Sequence, residues 1–98
     1  MKRILLICIL QVCIKTSYSQ NTWTQKSNYG GSNRTFTAQF TIGDKGYVGT
    51  GNSGIPNDFR ADFWEFDGAT NAWTQKANFG GGAREGASGF SIGNKGYI

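Results

Sequence analysis

Four carboxylates stand within ten residues of one another: Asp58, Asp62, Glu65 and Asp67. At that density they could pair as the acid and base of a glycosidase, or supply part of the roughly 6–8 oxygen shell of a Ca²⁺ site. Either chemistry needs convergence, and the spacing offers none. Asp62 and Asp67 bracket the run Phe63-Trp64-Glu65-Phe66, so both are expected to bond turn backbone. Gly49-Thr50-Gly51-Asn52-Ser53-Gly54 has the form G-x-G-x-x-G of a dinucleotide loop. Such a loop opens a helix, whereas Ile55-Pro56 and a polar stretch follow here, so a wide turn is expected.

Arg34 and Arg84 lie 50 residues apart. Their guanidinium forks could hold a carboxylate or a sugar; bonding loop carbonyls between repeated units is the simpler expectation. Trp23, Trp64 and Trp73 could stack on sugar rings, but Trp23 and Trp73 occupy one place in successive copies, which favours packing between units. Asn33-Arg34-Thr35 is a glycosylation sequon only in a host that uses that pathway. The candidate binding residues, on a loop face, are Arg34, Asn52, Asn57, Asp58, Arg60 and Arg84. No catalytic residue, metal ligand or cofactor is assigned.

The elements that must position these groups are set by a repeat. Shifted by 50 positions, residues 71–98 overlie 21–48 without a gap, and 15 of 28 aligned residues are identical. A repeat of this length marks a modular architecture. Thr35–Ile42 alternates with period two, Phe36, Ala38, Phe40 and Ile42 on one side, as a strand does. Gly43-Asp44 is turn chemistry, so Gly46–Thr50 returns as a second strand. Asp62–Phe66, aromatic on both sides, reads as a third strand sandwiched between layers, and Trp73–Lys76 as a fourth. Trp23–Lys26 is the earlier copy of that fourth strand. Helical periodicity is missing after Ile14, and four strands in about 50 residues is the arithmetic of one propeller blade per repeat.

Composition narrows the function. The chain of 98 residues carries a net charge of +4, but Lys2, Arg3 and Lys15 precede Gln20, and the rest is balanced by seven basic against six acidic residues. No basic stripe remains to track a phosphate backbone, which argues against nucleic acid. Residues 1–19 read as a secretory signal peptide: Lys2 and Arg3, then the apolar run Ile4–Ile14, then Ser17-Tyr18-Ser19 before a cut at Gln20. That run is too short to span a bilayer, so no membrane association is expected after cleavage. Lipidation at Cys13 is disfavoured because Val12 is larger than the small residue that normally precedes a lipidated cysteine. Both cysteines, Cys8 and Cys13, leave with this segment, and there is no histidine. Residues 20–98 therefore offer no disulfide, Cys/His metal site or thiol nucleophile.

The order Gly30-Gly31, Arg34, Ile42-Gly43-Asp44-Lys45-Gly46-Tyr47-Val48-Gly49-Thr50-Gly51, Asp62-Phe63-Trp64-Glu65-Phe66-Asp67 and Thr70-Asn71-Ala72-Trp73 resembles the kelch repeat. It is similar to secreted kelch-like proteins of the Bacteroidetes type. The repeat signature comprises Trp23, Gly30, Gly31, Gly46, Tyr47, Trp64, Asp67 and Trp73, recurring as Gly80, Gly81, Gly96 and Tyr97. Two departures are Gly49-Thr50-Gly51 in place of a diglycine and Gly68 in place of a proline, both compatible with turns. The resemblance implies an all-β fold of antiparallel four-stranded blades in a β-propeller. It divides residues 20–98 into units of about 27–76 and 77–98, with 22–26 as a closing strand. One full blade and parts of two neighbours make up less than a ring, so a fragment of a longer propeller, with further blades in the same chain, is expected.

For function the resemblance implies an exported, non-catalytic scaffold, secreted or at the cell surface, binding a protein or glycan through its loops. The alternative is the first part of a secreted kelch-propeller enzyme acting on carbohydrates, of the oxidase or sugar-acid epimerase type. Copper oxidases of that kind need histidine and a cysteine-linked tyrosine, which residues 20–98 do not supply. Intact-mass measurement of the exported protein is expected to give a chain starting at Gln20; a species starting at Met1 would contradict the signal-peptide assignment.

Overall fold

The computed structural model describes residues 22–98, which are strand, turn and loop with no helix among them. The proposed signal peptide, residues 1–19, lies outside the described residues. Strands β1 (Ala38–Ile42), β2 (Lys45–Gly49), β3 (Phe63–Asp67) and β4 (Ala72–Lys76) form an antiparallel sheet in the order β1-β2-β3-β4. Strands β5 (Phe90–Ile92) and β6 (Lys95–Tyr97) form a separate hairpin. The described chain is thus all-β.

Local chemistry accounts for the turns. Ile42 pairs with Lys45, so Gly43-Asp44 is a two-residue connection, and Gly43 takes φ +59°, which costs a glycine little. The second copy repeats it, with Gly93 also at φ +59°. Between β3 and β4, Asp67 Oδ1 accepts the Ala69 N–H at 2.9 Å and Asn71 closes the turn at φ +54°. Asp67 therefore bonds turn backbone, as its spacing suggests.

Register places the side chains. Ala38, Gly49 and Phe63 share one face with Phe40, Tyr47 and Glu65. Phe40 stacks on both Tyr47 and Phe63, with centroids 5.0 and 5.9 Å apart. Phe66 and Trp73 occupy the opposite face 5.0 Å apart, and Tyr29 meets Trp64 and Trp73 edge-on at 5.7 and 5.1 Å. The third strand is sandwiched, because its aromatics alternate between two filled layers.

Three expectations change. β1 begins at Ala38, not Thr35: Phe36 takes φ +54°, which breaks the alternation and leaves it 70% exposed. Residues 22–29 form no strand, and Trp23 is fully exposed, since no described strand edge runs beside it. The second and third strands are displaced by one residue from Gly46–Thr50 and Asp62–Phe66, because Lys45 pairs with Asp67 at the turn end while Thr50, at φ +56°, leaves the strand at the other.

The β5–β6 hairpin lies against the Phe40 face of the sheet. A Cβ on Gly96 would come within 2.0 Å of the Phe40 ring, and one on Gly89 within 2.5 Å of the Gln39 carbonyl oxygen. Within the sheet, a Cβ on Gly49 would sit 2.0 Å from Phe63 Cδ2, so the ring lies directly across the glycine backbone. Gly49→Val should therefore displace Phe63 and destabilise the sheet by at least the ~1–3 kcal/mol typical of overpacking. Urea unfolding measures this; an unchanged midpoint would mean that Phe63 is not packed on Gly49.

Candidate functional site

Antiparallel alternation brings three loops to one end of the sheet, residues 30–37, 50–62 and 77–89, while short turns occupy the other. Backbone hydrogen bonds tie the three loops together. Thr35 and Asn52 exchange N–H···O bonds at 2.8 and 3.0 Å, and the Arg60 N–H donates to the Gly51 carbonyl at 2.8 Å. Arg84 threads between them: its carbonyl accepts from Gly51 at 2.7 Å and its N–H donates to the Arg60 carbonyl at 3.1 Å. Phe79 N–H to Ala61 O at 2.7 Å and Gly86 N–H to Phe36 O at 3.0 Å complete the layer.

These bonds decide the glycine motif. The Thr50, Gly51, Asn52 and Ser53 N–H groups donate to the Asp62, Arg84, Thr35 and Asp58 carbonyls, and the Gly54 N–H donates to Asn52 Oδ1. No run of free amides is left to cradle a phosphate, which agrees with a structural turn. Thr50 is fully buried at φ +56°, an uncommon conformation for a β-branched residue. It is held on every polar atom, since Oγ1 accepts the Ala38 N–H at 3.3 Å and its carbonyl accepts from Arg34 Nη1 at 3.2 Å.

Arg34 is a buried ion-pair residue. Its side chain is 3% exposed, and its two terminal nitrogens meet the two Asp62 carboxylate oxygens at 2.6 and 2.9 Å. The guanidinium lies 5.3 Å from the centre of the Tyr29 ring, and Trp64 Nε1 donates to Asp62 Oδ2 at 2.8 Å. Arg34 does bond loop carbonyls, Ser32 O at 3.1 Å and Thr50 O at 3.2 Å, both of its own unit, and its bidentate fork adds the Asp62 carboxylate, which the sequence did not announce. This also corrects Asp62, whose side chain bonds Arg34 and Trp64. The Arg34 pair, with help from Trp64, holds the Asp62 carboxyl below the usual carboxylate range despite partial burial.

The remaining predicted binding residues are mostly committed within the layer. Asp58 pairs with Arg60 Nη2 at 2.7 Å and accepts from the Ser53 hydroxyl at 2.5 Å. Asn57 sits at φ +63° in the turn, and Asn52 Oδ1 caps Gly54 at 2.7 Å. Arg84 folds back on the Gly81 carbonyl and lies 4.8 Å over the Phe79 ring, as Arg34 lies over Tyr29 one repeat earlier. The loop network thus joins Asn52, Arg60 and Arg84 through backbone, while Arg34 lies beneath it.

The layer exposes three large apolar side chains, Phe36, Ile55 and Phe59, beside polar ones such as Asn33, Asn57 and Glu85. Phe59 bridges Asn52, which bridges Thr35, so Phe36 and Phe59 belong to adjoining segments. Alternation places Phe36 on the inner stripe, and neither Ile55 nor Phe59 is among the candidate binding residues read from the sequence. A signal for Phe36 was present, because the repeat aligns it with Gly86, and both adopt positive φ, +54° and +72°.

The carboxylates do not converge. Asp62 belongs with Trp64 on one face of β3 and Glu65 points to the other. Glu65, almost buried, accepts the Tyr47 hydroxyl at 2.8 Å and faces Lys45 and Lys76 at 3.2 Å each. The Tyr47 bond, reinforced by the two lysines, holds its carboxyl below the usual range. Among the described residues no group of three or more His, Cys, Asp or Glu is placed to share a metal ion.

Both lowered carboxylates set the acid limit of the fold. A carboxyl whose folded pKa lies below its unfolded value near ~4 contributes its full stability above that value, and loses it as the pH falls through the folded pKa. Melting temperature should therefore hold at neutral pH and drop below about pH 4. Asp62→Asn should lower Tm at pH 7 by on the order of 10 °C, because Arg34 stays buried without its charge partner, and should flatten the acid decline. Parallel acid limbs for both proteins would exclude Asp62 from this role.

Compared with known proteins, the chain matches no protein-family model and no curated protein.

Proposed function

We propose that this chain is an exported, non-catalytic scaffold of the kelch type, binding a protein or a glycan through the loop layer. The observation that carries the binding reading is the loop layer itself. Its backbone and most of its polar side chains are bonded internally, while Phe36, Ile55 and Phe59 remain exposed. A rigid frame presenting aromatic and aliphatic contact area loses little entropy on binding.

The architecture supports the kelch reading by its stacking. One repeat is a four-stranded antiparallel meander, and the hairpin of the next lies face-on against it, with Gly96 over Phe40. Face-to-face succession of such sheets is how a propeller grows blade by blade. The loop end would then form one rim, and the turns at Gly43, Gly93 and Asp67 the other. In that arrangement Arg34 and Asp62 serve as a brace beneath the binding rim rather than as ligand contacts.

The test is a panel of soluble polysaccharides and extracellular proteins against the immobilised chain and its Phe36→Ser/Phe59→Ser variant. Saturable binding that weakens at least tenfold in the variant is expected, since hot-spot aromatics commonly contribute ~1.4 kcal/mol or more. Equal binding by both proteins would remove the loop layer as the site.

A further inference from the structure

Among the described residues, the contact between the two repeat units leaves a second copy of each of its halves uncovered. Within the chain, the knob is Phe40 and the socket is Gly96: the ring occupies the space that a Cβ on Gly96 would fill. The residue 50 positions after Phe40 is Phe90, and the residue 50 positions before Gly96 is Gly46. Phe90 stacks on Tyr97 as Phe40 stacks on Tyr47, with interplanar angles of 11° and 16°, so the second knob has the same internal build. Yet Phe90 is 54% exposed. At the opposite end, a Cβ on Gly46 would meet nothing within 4 Å. Gly46 lies in an open depression of about 270 Å³ on the face formed by Gln39, Thr41, Gly46 and Val48.

We propose that the chain self-associates head to tail, Phe90 of one copy entering the Gly46 socket of the next. The occupant is a second copy because this same sequence carries both halves of the contact and already joins them once within the chain. The two patches differ, so the contact is heterologous, and successive copies either close into a ring or extend as a filament. This inference stands apart from ligand binding, since it uses the sheet faces and not the loop layer.

Of the three positions at which the two sockets differ, Gln39/Gly89, Thr41/Ser91 and Val48/Ile98, the first changes most in size. Gly89 lets the second hairpin approach the Gln39 backbone, with 2.5 Å from its Cβ position to the Gln39 oxygen. Gln39 stands at the equivalent place in the free socket, and its side chain holds an incoming Gly89 segment farther away. The contact between copies is therefore weaker than the one within the chain. With two short hairpins as its area it belongs among small, transient interfaces, with association on the order of 10–1000 µM.

Sedimentation velocity over that concentration range tests the proposal, with circular dichroism confirming that each variant keeps its sheet. The wild-type chain should gain weight-average mass with concentration. Gly46→Val fills the socket, and its Cβ meets no described atom within 4 Å; alone it should remain monomeric, as should Phe90→Ser, which removes the knob. Mixed at equal concentrations, the two variants should form a capped dimer, one supplying the knob and the other the socket. Gln39→Gly should tighten wild-type association severalfold. A wild-type chain that stays monomeric throughout the range, a Gly46→Val variant that associates like wild type, or a mixture that stays monomeric would each overturn the proposal.

Discussion

The structure depends on aromatic rings laid across glycine backbones. Gly49 beneath Phe63, Gly96 beneath Phe40 and Gly30 beneath Trp64 would each place a Cβ within 2.0–2.4 Å of a ring. Real Cβ atoms do not approach so closely, so each of these positions requires glycine as the packing stands. The first holds Phe63 in the sheet, the second joins one unit to the next, and the third brings the Tyr29 segment onto the tryptophan face. Glycine in a strand is otherwise a weakness, since it gives up side-chain packing and adds unfolded-state entropy. Here the neighbouring ring takes the place of the absent side chain, which offsets that cost. The fully hydrophobic core is correspondingly small, Ala38 and Phe63 being its buried members among the described residues.

Polar groups fill what a larger apolar core would otherwise occupy. Thr50 is sealed at the base of the loop layer, Arg34 lies beneath that layer on Asp62, and Glu65 sits on the opposite face of the sheet with Tyr47 and two lysines. Each is acceptable in the interior because its partners are in place. The arrangement also explains why so dense a run of acids yields no paired site. Strand alternation sends Glu65 to one face of β3 and leaves Asp62 on the other. Asp62 pairs with Arg34 and Glu65 with Lys45 and Lys76, while Asp58 stays in the loops with Arg60 and Asp67 caps its turn.

The division of labour between the two ends of the sheet follows from connection length. The turn end closes with two or four residues and has little surface to vary. The loop end carries three longer connections, which brace one another through backbone bonds and so present side chains on a fixed frame. Binding surfaces are commonly built this way, from loops held by a rigid scaffold. The exposed apolar residues of this end differ in kind from those of the β5–β6 hairpin: Phe36, Ile55 and Phe59 lie on loops, whereas Phe90, Ile92 and Tyr97 lie on one strand face. The first set suits a foreign partner, the second another sheet.

Much of the architecture was legible because it rests on periodicities that the sequence carries openly. The 50-residue echo, the alternation over Ala38–Ile42 and the Gly43-Asp44 and Asp67-Gly68 turns depend on contacts a few residues apart, so the four strands and their order could be read off, with one-residue errors except at the start of the first, which came three residues later. The site was less legible. Arg34 and Asp62 are 28 residues apart, and nothing in their spacing announces an ion pair that arises when two loops fold over the same sheet end. Phe36 looked internal because alternation is blind to a single residue at positive φ, although its repeat partner Gly86 hinted at one. The sequence by itself determined the unit, its strands and its turns, because these are local. Only the tertiary structure decided which polar groups are spent on one another and which rings stay exposed, because loop crossings and sheet stacking are made between residues the chain brings together from far apart.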